Sequence, residues 1–121
     1  MLRYRLSDVA QVDLINILAW THEQFGEAAR LRYENLIVAA LRDVATQPAR
    51  PGSIARPELG AGVRSWHLRL SRDHLGPAAQ AVRRPRHFLV YRFEPALLVV
   101  GRVLHDAMEL ARHLDPNTSW E

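Results

Sequence analysis

The fold is decided by residues 2–48, which read LRYRLSDVAQVDLINILAWTHEQFGEAARLRYENLIVAALRDVATQP. In its first residues Leu2, Tyr4 and Leu6 alternate with arginines, which is the period of a half-buried β-strand. Ser7 follows at a position where its hydroxyl can accept a free backbone N–H of a beginning helix. From there the apolar residues recur every three or four positions. The sequence therefore predicts a strand followed directly by a helix.

Two helices fill the rest of this stretch and form an antiparallel hairpin. Gly26 ends the first helix, since glycine readily adopts the backbone conformation that closes a helix. The second helix is predicted from Glu27 to about Thr46, because Pro48 stops it. A connection of one or two residues between helices of this length places them side by side.

Each helix carries two apolar stripes. The wider stripes consist of Ala10, Leu14, Ile17, Leu18, Thr21 and Phe25 on the first helix and of Ala29, Tyr33, Leu36, Ile37, Ala40 and Val44 on the second. The narrower stripes consist of Val12, Ile15 and Ala19 on the first and of Leu31, Val38 and Ala45 on the second. A second apolar stripe is either covered by the chain's own sheet and loops or accepts a partner.

The remaining residues predict an antiparallel sheet and a short final helix. Strands are predicted over residues 63–70, 86–93 and 96–104, and the last two are apolar on both faces, as central strands are. Loops are predicted over 47–62 and 71–80, a helix over 106–114 and a flexible tail over 115–121. The predicted fold is α+β: one domain over 1–121, in which an N-terminal strand and a helical hairpin pack on a small, mostly antiparallel sheet.

Composition excludes several classes of function. The chain contains no cysteine, which removes disulfide scaffolds, thiolate metal sites and cysteine nucleophiles. Its 16 lysine-or-arginine residues are all arginine, so Schiff-base chemistry and a lysine general base are also excluded. No apolar run reaches the roughly 20 residues that cross a bilayer, and the N-terminus is unlike a signal peptide. We expect a cytoplasmic protein without a membrane segment, a cofactor or a small-molecule substrate.

Positive charge is concentrated in the second half of the chain. Residues 64–112 hold nine arginines against four acidic residues, although the formal net charge of the chain is only +3. The predicted target-binding surface is the densest group of these, and it comprises Arg83, Arg84, Arg86, His87, Tyr91 and Arg92. Guanidinium groups along a strand match the spacing of phosphates, and a nearby tyrosine or imidazole can stack on a base. The alternative is a solvated strand whose arginines pair with the chain's own acids.

The predicted last helix places His105, Glu109 and His113 on one face, at i, i+4 and i+8. Three possible ligands without the pattern of a known metal motif do not make a site, so we predict no metal. His105 stands beside Asp106, and contact with a carboxylate raises the pKa of an imidazole. This histidine is either a proton-transfer group or a residue with a structural hydrogen bond at the start of the helix.

Several segments resemble the ParE toxins, which belong to the RelE/ParE superfamily of bacterial type II toxin–antitoxin modules. The most distinctive are SDVAQVDLINI over 7–17, with the pattern S-x-x-A-x-x-D-L-x-x-I, and RVLHD over 102–106. The resemblance covers about residues 3–114. It implies a helical hairpin on a small antiparallel sheet and a ParD-like antitoxin that wraps the toxin. The residues expected to bind that antitoxin are those of the narrower stripes, Val12, Ile15, Ala19, Leu31 and Val38.

The resemblance also implies one of two activities. ParE-like toxins poison DNA gyrase by trapping it with cleaved DNA, and they hydrolyse nothing themselves. RelE-like toxins cut messenger RNA in the ribosome, using side chains that activate the ribose 2′-hydroxyl and stabilise the phosphate transition state. A lysine-based nuclease is excluded, whereas a version with Arg64, Arg92 and His105 requires the sheet to bring these residues together. Because a helix is predicted after His105, where the ribosomal nucleases usually end in tyrosine or histidine, we favour gyrase inhibition; an inactive toxin that only binds partners is the third possibility.

Overall fold

The structure, a computed structural model, describes residues 1–74 and 82–107. In chain order its elements are β1 (Arg3–Leu6), α1 (Asp8–Phe25), α2 (Glu27–Thr46), β2 (Ile54–Ala55), β3 (Arg64–His67), α3 (Leu68–His74), β4 (His87–Glu94) and β5 (Leu97–His105). A 3₁₀ turn, Pro57–Leu59, lies between β2 and β3. The predicted α+β class, with a helical hairpin on a mostly antiparallel sheet, is confirmed.

The five strands form one sheet in the order β1-β5-β4-β3-β2. β1 runs parallel to β5, and the other three pairings are antiparallel. β4 and β5 are central strands, as their apolar character on both faces predicts. The four-residue strand β1 is one edge of the sheet and exposes Arg3 and Arg5, and the two-residue strand β2 is the other edge.

A β-bulge interrupts the pairing of β4 with β5. Val90 pairs with Arg102 and Tyr91 pairs with Val100, so that Gly101 is the extra residue between them. Its backbone carbonyl accepts a hydrogen bond from Ser7 Oγ at 2.8 Å. The bulge is therefore a point of attachment for the segment that precedes α1.

Two side chains fix α1 to the bulge. Ser7 Oγ accepts from the backbone N–H of Ala10 at 3.0 Å, which makes Ser7 the N-cap of α1. Asp13 accepts from Arg102 Nε at 2.8 Å and from the backbone N–H of Val103 at 3.0 Å. Ala10 is fully buried. The S-x-x-A-x-x-D pattern therefore holds the first helix on the sheet.

The main core lies between the helical hairpin and one face of the sheet. α2 contributes the buried residues Tyr33, Leu36, Ile37, Ala40, Leu41, Val44 and Ala45. The sheet and α3 contribute Trp66, Leu68, Leu89, Tyr91, Leu98, Val100 and Val103. Alternate residues point to the other face of the sheet, where Val63, Phe88, Val90 and Leu104 form a smaller core.

The segment after β3 differs from the prediction. The alternation over 63–70 predicts one strand, but β3 ends at His67 and α3 follows at once. The loop predicted over 71–80 accordingly begins inside a helix. The loop predicted over 47–62 contains the short strand β2 and the 3₁₀ turn.

A contact with α2 accounts for this helix. Trp66 Nε1 donates to Ser71 Oγ at 2.9 Å, and this hydroxyl donates to Asp43 Oδ2 at 2.7 Å. Asp43 also pairs with Arg50, whose guanidinium lies 5.2 Å from the centre of the Trp66 ring. Only a helical turn after β3 brings the hydroxyl of Ser71 back to the indole, so this contact overrides the local alternation.

Two predictions fall largely outside the described residues. Of the helix predicted over 106–114, only Asp106 and Ala107 are described, and they form a turn. The rest of that helix and the tail predicted over 115–121 lie outside the described residues. Within 1–74 and 82–107, no helix is long and apolar enough to cross a membrane.

Candidate functional site

The predicted antitoxin-binding residues lie on the surface of the helical hairpin. We call Val12, Ile15, Ala19, Leu31 and Val38 the hairpin stripe, and all of them are exposed. Ile15 is 66% exposed and Val12 54%, so the described part of the chain does not cover them. Ala45, which continues the pattern on α2, is buried instead. An exposed row of apolar side chains on a helix is typical of a surface that binds another protein.

The end of α1 adds an exposed aromatic pair. The rings of Trp20 and Phe25 meet edge to face with their centroids 5.7 Å apart. Both are more than half exposed, although helical period places Phe25 in the wider apolar stripe of α1. Aromatic side chains are enriched at protein interfaces, so this pair extends the candidate surface to this end of the hairpin.

The predicted target-binding arginines occupy two separate places. Arg83 and Arg84 precede β4 in exposed positions, and the exposed Arg86 immediately precedes the first residue of β4. Arg92 is exposed near the other end of the strand. The β4 side chains between the two places are buried, so the guanidinium groups do not form one continuous row.

The two ring residues predicted for this surface are not both accessible. Tyr91 is fully buried, and its hydroxyl donates to the backbone carbonyl of Pro48. Its ring supports β4 from the core and does not reach a base or a partner. His87 is half-buried and belongs to a polar group at the start of β4.

The strand register brings three histidines and a carboxylate together at this end of the sheet. His87 pairs with His105, and their ring centroids are 5.3 Å apart. Asp106 accepts from His67 Nε2 and from Arg86 Nε, both at 3.1 Å. We call His67, His87, His105 and Asp106 the histidine cluster. The sequence did not place His67 in it, because the β3–β4 register and not local spacing brings it there.

Burial fixes the protonation of His87. Its Nδ1 lies 2.6 Å from the hydroxyl of Tyr33 on α2. Burial, with a smaller contribution from the charge of His105, lowers the pKa of His87 to about 4, and burial raises the pKa of Tyr33 to about 12. At neutral pH the tyrosine hydroxyl is therefore protonated and donates to a neutral imidazole, which carries its own proton on Nε2.

His67 and Asp106 form the second half of the cluster, in which a neutral imidazole faces a carboxylate. The backbone N–H of Arg69 donates to His67 Nδ1 at 3.1 Å, so a neutral imidazole keeps its proton on Nε2 and donates it to Asp106. Burial lowers the pKa of His67, although the hydrogen bond to Asp106 opposes this. Partial burial acts to raise the pKa of Asp106, but the hydrogen bond from His67 and the charge of Arg86 outweigh it and lower that pKa. The cluster thus holds an ionised carboxylate between donors.

The three residues predicted for RNA cleavage are not brought together. Arg64 lies opposite Tyr91 and shares its face of the sheet, whereas Arg92, the next residue of β4, points to the other face. His105 lies opposite His87 at the other end of β4. That strand length corresponds to roughly 16 Å. The condition for a nuclease built on Arg64, Arg92 and His105, that the sheet brings these residues together, is therefore not met, because β4 keeps its ends apart.

Metal binding has no support in the described ranges. No group of three histidine, aspartate or glutamate side chains there could hold a metal ion. Of the predicted helical face of His105, Glu109 and His113, only His105 is described. The arrangement around Asp106 is instead a carboxylate hydrogen-bonded to one imidazole and one guanidinium, whose chemistry is proton transfer or binding of a polar ligand.

The chain is similar in sequence to a family of toxins and in fold to a solved structure. A sequence model of the family described as the ParE toxin of the type II toxin–antitoxin system parDE matches residues 4–110. In fold, the chain is similar to a chain of the solved structure "Chromosomal ParDE TA system from P. aeruginosa", with a TM-score of 0.61 and 16% identity over 87% of this chain and 96% of that chain. At this identity the second similarity shows the fold alone. A search of curated proteins gives no match to the sequence.

Proposed function

This chain belongs to the family of ParE toxins of type II toxin–antitoxin systems, and from that premise we propose that it inhibits DNA gyrase and is neutralised by a ParD-like antitoxin. On this proposal the toxin acts in the cytoplasm. It traps gyrase with cleaved DNA by binding to it, and it breaks no bond itself. Two surface features support the proposal, the hairpin stripe for the antitoxin and the arginines before β4 for the target.

The hairpin stripe is the observation that carries the antitoxin part. Its apolar side chains stand on the outer side of two adjacent helices, away from the core face of α2. An amphipathic segment laid on the hairpin would remove this apolar surface from water, at about 25 cal/mol for each Å² buried. A partner that binds along the two helices therefore buries the exposed apolar surface of the hairpin stripe.

The target part rests on exposed positive charge. Arg83 and Arg84 stand clear of the core, and Arg86 extends the group to the histidine cluster. Arginine binds carboxylate and phosphate through a planar fork and stays charged at all relevant pH values. These residues suit contact with an acidic protein surface or with the DNA that gyrase holds. They belong to the segment before β4, whereas the hairpin stripe belongs to α1 and α2, so the two proposed partners would contact different residues.

The test is a gyrase cleavage assay with purified components. Toxin added to gyrase, supercoiled plasmid and ATP is expected to accumulate linear DNA with gyrase covalently attached. The same reaction with toxin first saturated by its antitoxin is the control, and it should show no linear DNA. Unchanged supercoiling and no cleaved complex at a large molar excess of folded toxin would refute the gyrase proposal.

The histidine cluster favours one alternative, a ribosome-dependent messenger RNA endonuclease. It places the imidazole of His67 and the guanidinium of Arg86 within hydrogen-bonding distance of the Asp106 carboxylate at one end of the sheet. A pKa of about 4 makes His87 a poor general acid at neutral pH, which is why this function stands second. Primer extension on messenger RNA incubated with ribosomes and toxin separates the two, since only a nuclease yields cuts in phase with the codons.

A further inference from the structure

A cleft opens at the end of β3, next to the smaller core and the histidine cluster. Its volume is about 230 Å³, and its lining comes from the segment around β2, from β3 and β4 and from the beginning of α3. The apolar part of the lining consists of Ile54, Leu70 and Phe88, which we call the cleft floor. Ile54 is half exposed although it is a large aliphatic residue, so the floor is open to a ligand.

The polar part of the lining carries an excess of positive charge. Arg56 and Arg69 both line the cleft, and the acid among the lining residues, Asp106, already accepts from His67 and Arg86. Arg69 is exposed, and its guanidinium has no hydrogen bond or ion pair with any residue in 1–74 or 82–107. Arg56 is fixed by a hydrogen bond from its Nε to Ser65 Oγ at 3.1 Å, and a carboxylate oxygen of Glu58 lies 3.9 Å from its guanidinium. One guanidinium is thus held in place while the other is available to a ligand.

We propose that this cleft binds a single nucleotide, with its phosphate held by Arg69 and Arg56 and its base against the cleft floor. Charge-assisted, forked hydrogen bonds make arginine a strong ligand for phosphate. The site is separate from the hairpin stripe and does not depend on the action proposed on gyrase. It adds a ligand class that the binding of a protein partner does not require.

The size and the mixed lining select this ligand class. At about 230 Å³ the cleft is smaller than the roughly 300–1,000 Å³ of pockets that enclose drug-sized ligands, so it has room for the phosphate and the flat ring of one nucleotide while the rest of that nucleotide stays in water. An inorganic phosphate would leave the cleft floor in water, and an apolar molecule would leave Arg69 without a counter-charge. A free mononucleotide and one nucleotide of a single strand offer the same chemistry, which combines a phosphate with a flat ring.

The test is a titration of the isotope-labelled full chain, followed by the chemical shifts of its backbone amides at low salt. AMP is expected to shift the amides of the cleft residues, and inorganic phosphate and adenosine should each bind more weakly than AMP. A short single-stranded oligodeoxyadenylate distinguishes the two sources: tighter binding than AMP at the same amides assigns the site to a strand, and equal binding assigns it to the free nucleotide.

Three variants locate the contacts. Arg69→Ala should weaken AMP binding about tenfold or more, because a charge-assisted hydrogen bond is lost. Ile54→Ser should weaken binding of AMP but not of inorganic phosphate. Arg42→Ala, which removes an exposed arginine of α2, is the matched control and should leave both affinities unchanged. Equal affinity of native protein and Arg69→Ala, equal binding of phosphate and AMP, or no shift of the cleft amides would each overturn the proposal.

Discussion

Asp13 is the acidic residue through which α1 is held to the sheet. Its carboxylate accepts from two nitrogens of Arg102, at 2.8 and 3.1 Å, and from the backbone N–H of Val103. The side chains of Asp13 and Arg102 are only 14% and 17% exposed. Removal of one member of such a pair leaves the other charge buried without its partner, which is costlier than loss of a surface ion pair.

We therefore expect Asp13→Ala to lower the free energy of unfolding by about 3–5 kcal/mol. The measurement is urea unfolding followed by circular dichroism. Glu23→Ala removes an exposed acid of the same helix and serves as the control, with an expected change within about 0.5 kcal/mol. A loss below about 1 kcal/mol for Asp13→Ala would mean that this pair adds no more than a surface ion pair does.

His87 makes stability depend on pH in the acid range. Because burial lowers its pKa to about 4 from the ordinary value of 6.5, the unfolded chain binds a proton more readily than the folded one. The contribution of a neutral His87 is complete above about pH 6.5 and is lost as the pH falls through 4. The free energy of unfolding should fall across this range by about 2 kcal/mol, a value reduced for the partial exposure of the ring.

The variant His87→Gln isolates this effect. Glutamine can accept the hydrogen bond from the Tyr33 hydroxyl but does not titrate, so the slope of stability against pH between 6.5 and 4.5 should become flatter than in the native chain. Urea unfolding at several pH values measures both slopes. The carboxylates of Glu27 and Asp106, whose pKa values are lowered, titrate further into acid and act in both proteins alike. Identical slopes would show that another group causes the dependence.

At the scale of elements, the long helices could be predicted from sequence and the short segments could not. The helical period of the apolar residues, together with a capping serine and a helix-ending glycine, predicts α1 and α2. Continuous apolar runs predict β4 and β5, and all of these signals are local in the sequence. The helix α3 depends on the contact of Ser71 with Trp66 and Asp43, and these groups are distant in sequence. The bulge at Gly101 also requires the partner strand to be known.

The residues of the candidate site divide in the same way into those that local sequence predicts and those that depend on distant contacts. The hairpin stripe was found because helical period alone places its residues on one side of each helix. The histidine cluster was found only in part, since strand register and not local spacing brings His67 of β3 to Asp106, which follows β5. Tyr91 was misplaced because alternation shows which residues share a face but not which face is buried.

The helical hairpin allows a prediction about the affinity of the antitoxin. Ile15→Asp puts a charge on the most exposed of the large apolar residues in the hairpin stripe, where an apolar contact with a ParD-like antitoxin is proposed. Binding should weaken at least tenfold, because a charge would be buried without a partner. Calorimetric titration of the variant with the antitoxin measures this.

Two controls make that experiment specific. The stability of Ile15→Asp should stay within about 0.5 kcal/mol of the native value, since the side chain is exposed. Ala61→Asp adds the same charge at an exposed loop position and should leave affinity unchanged. If both variants bind the antitoxin as the native chain does, the outer side of α1 is not its docking surface.

At the scale of the whole molecule, the two proposed partners use different surfaces. The hairpin stripe lies on α1 and α2, while the exposed arginines stand before and within β4. Arg86→Ala combined with Arg92→Ala should therefore reduce toxicity in a bacterial growth assay by at least tenfold without loss of folding. Antitoxin affinity should stay unchanged, which a change in the overall fold would not allow.

Arg32→Ala combined with Arg42→Ala removes the same charge from exposed positions of α2 and is the matched control. It should remain as toxic as the native chain. If a well-folded variant with both Arg86→Ala and Arg92→Ala keeps full toxicity, these two arginines do not contact the target. Arg83 and Arg84 would then be the arginines of this group to test.

The edge strand β1 affects how toxin molecules can associate with one another. β1 is four residues long, and its exposed Arg3 and Arg5 would face the same arginines of a second molecule that tried to extend the sheet. Like charges opposed across an edge discourage such pairing. Growth of the sheet from molecule to molecule through β1 is thus hindered, so that any self-association of the toxin has to use another part of its surface.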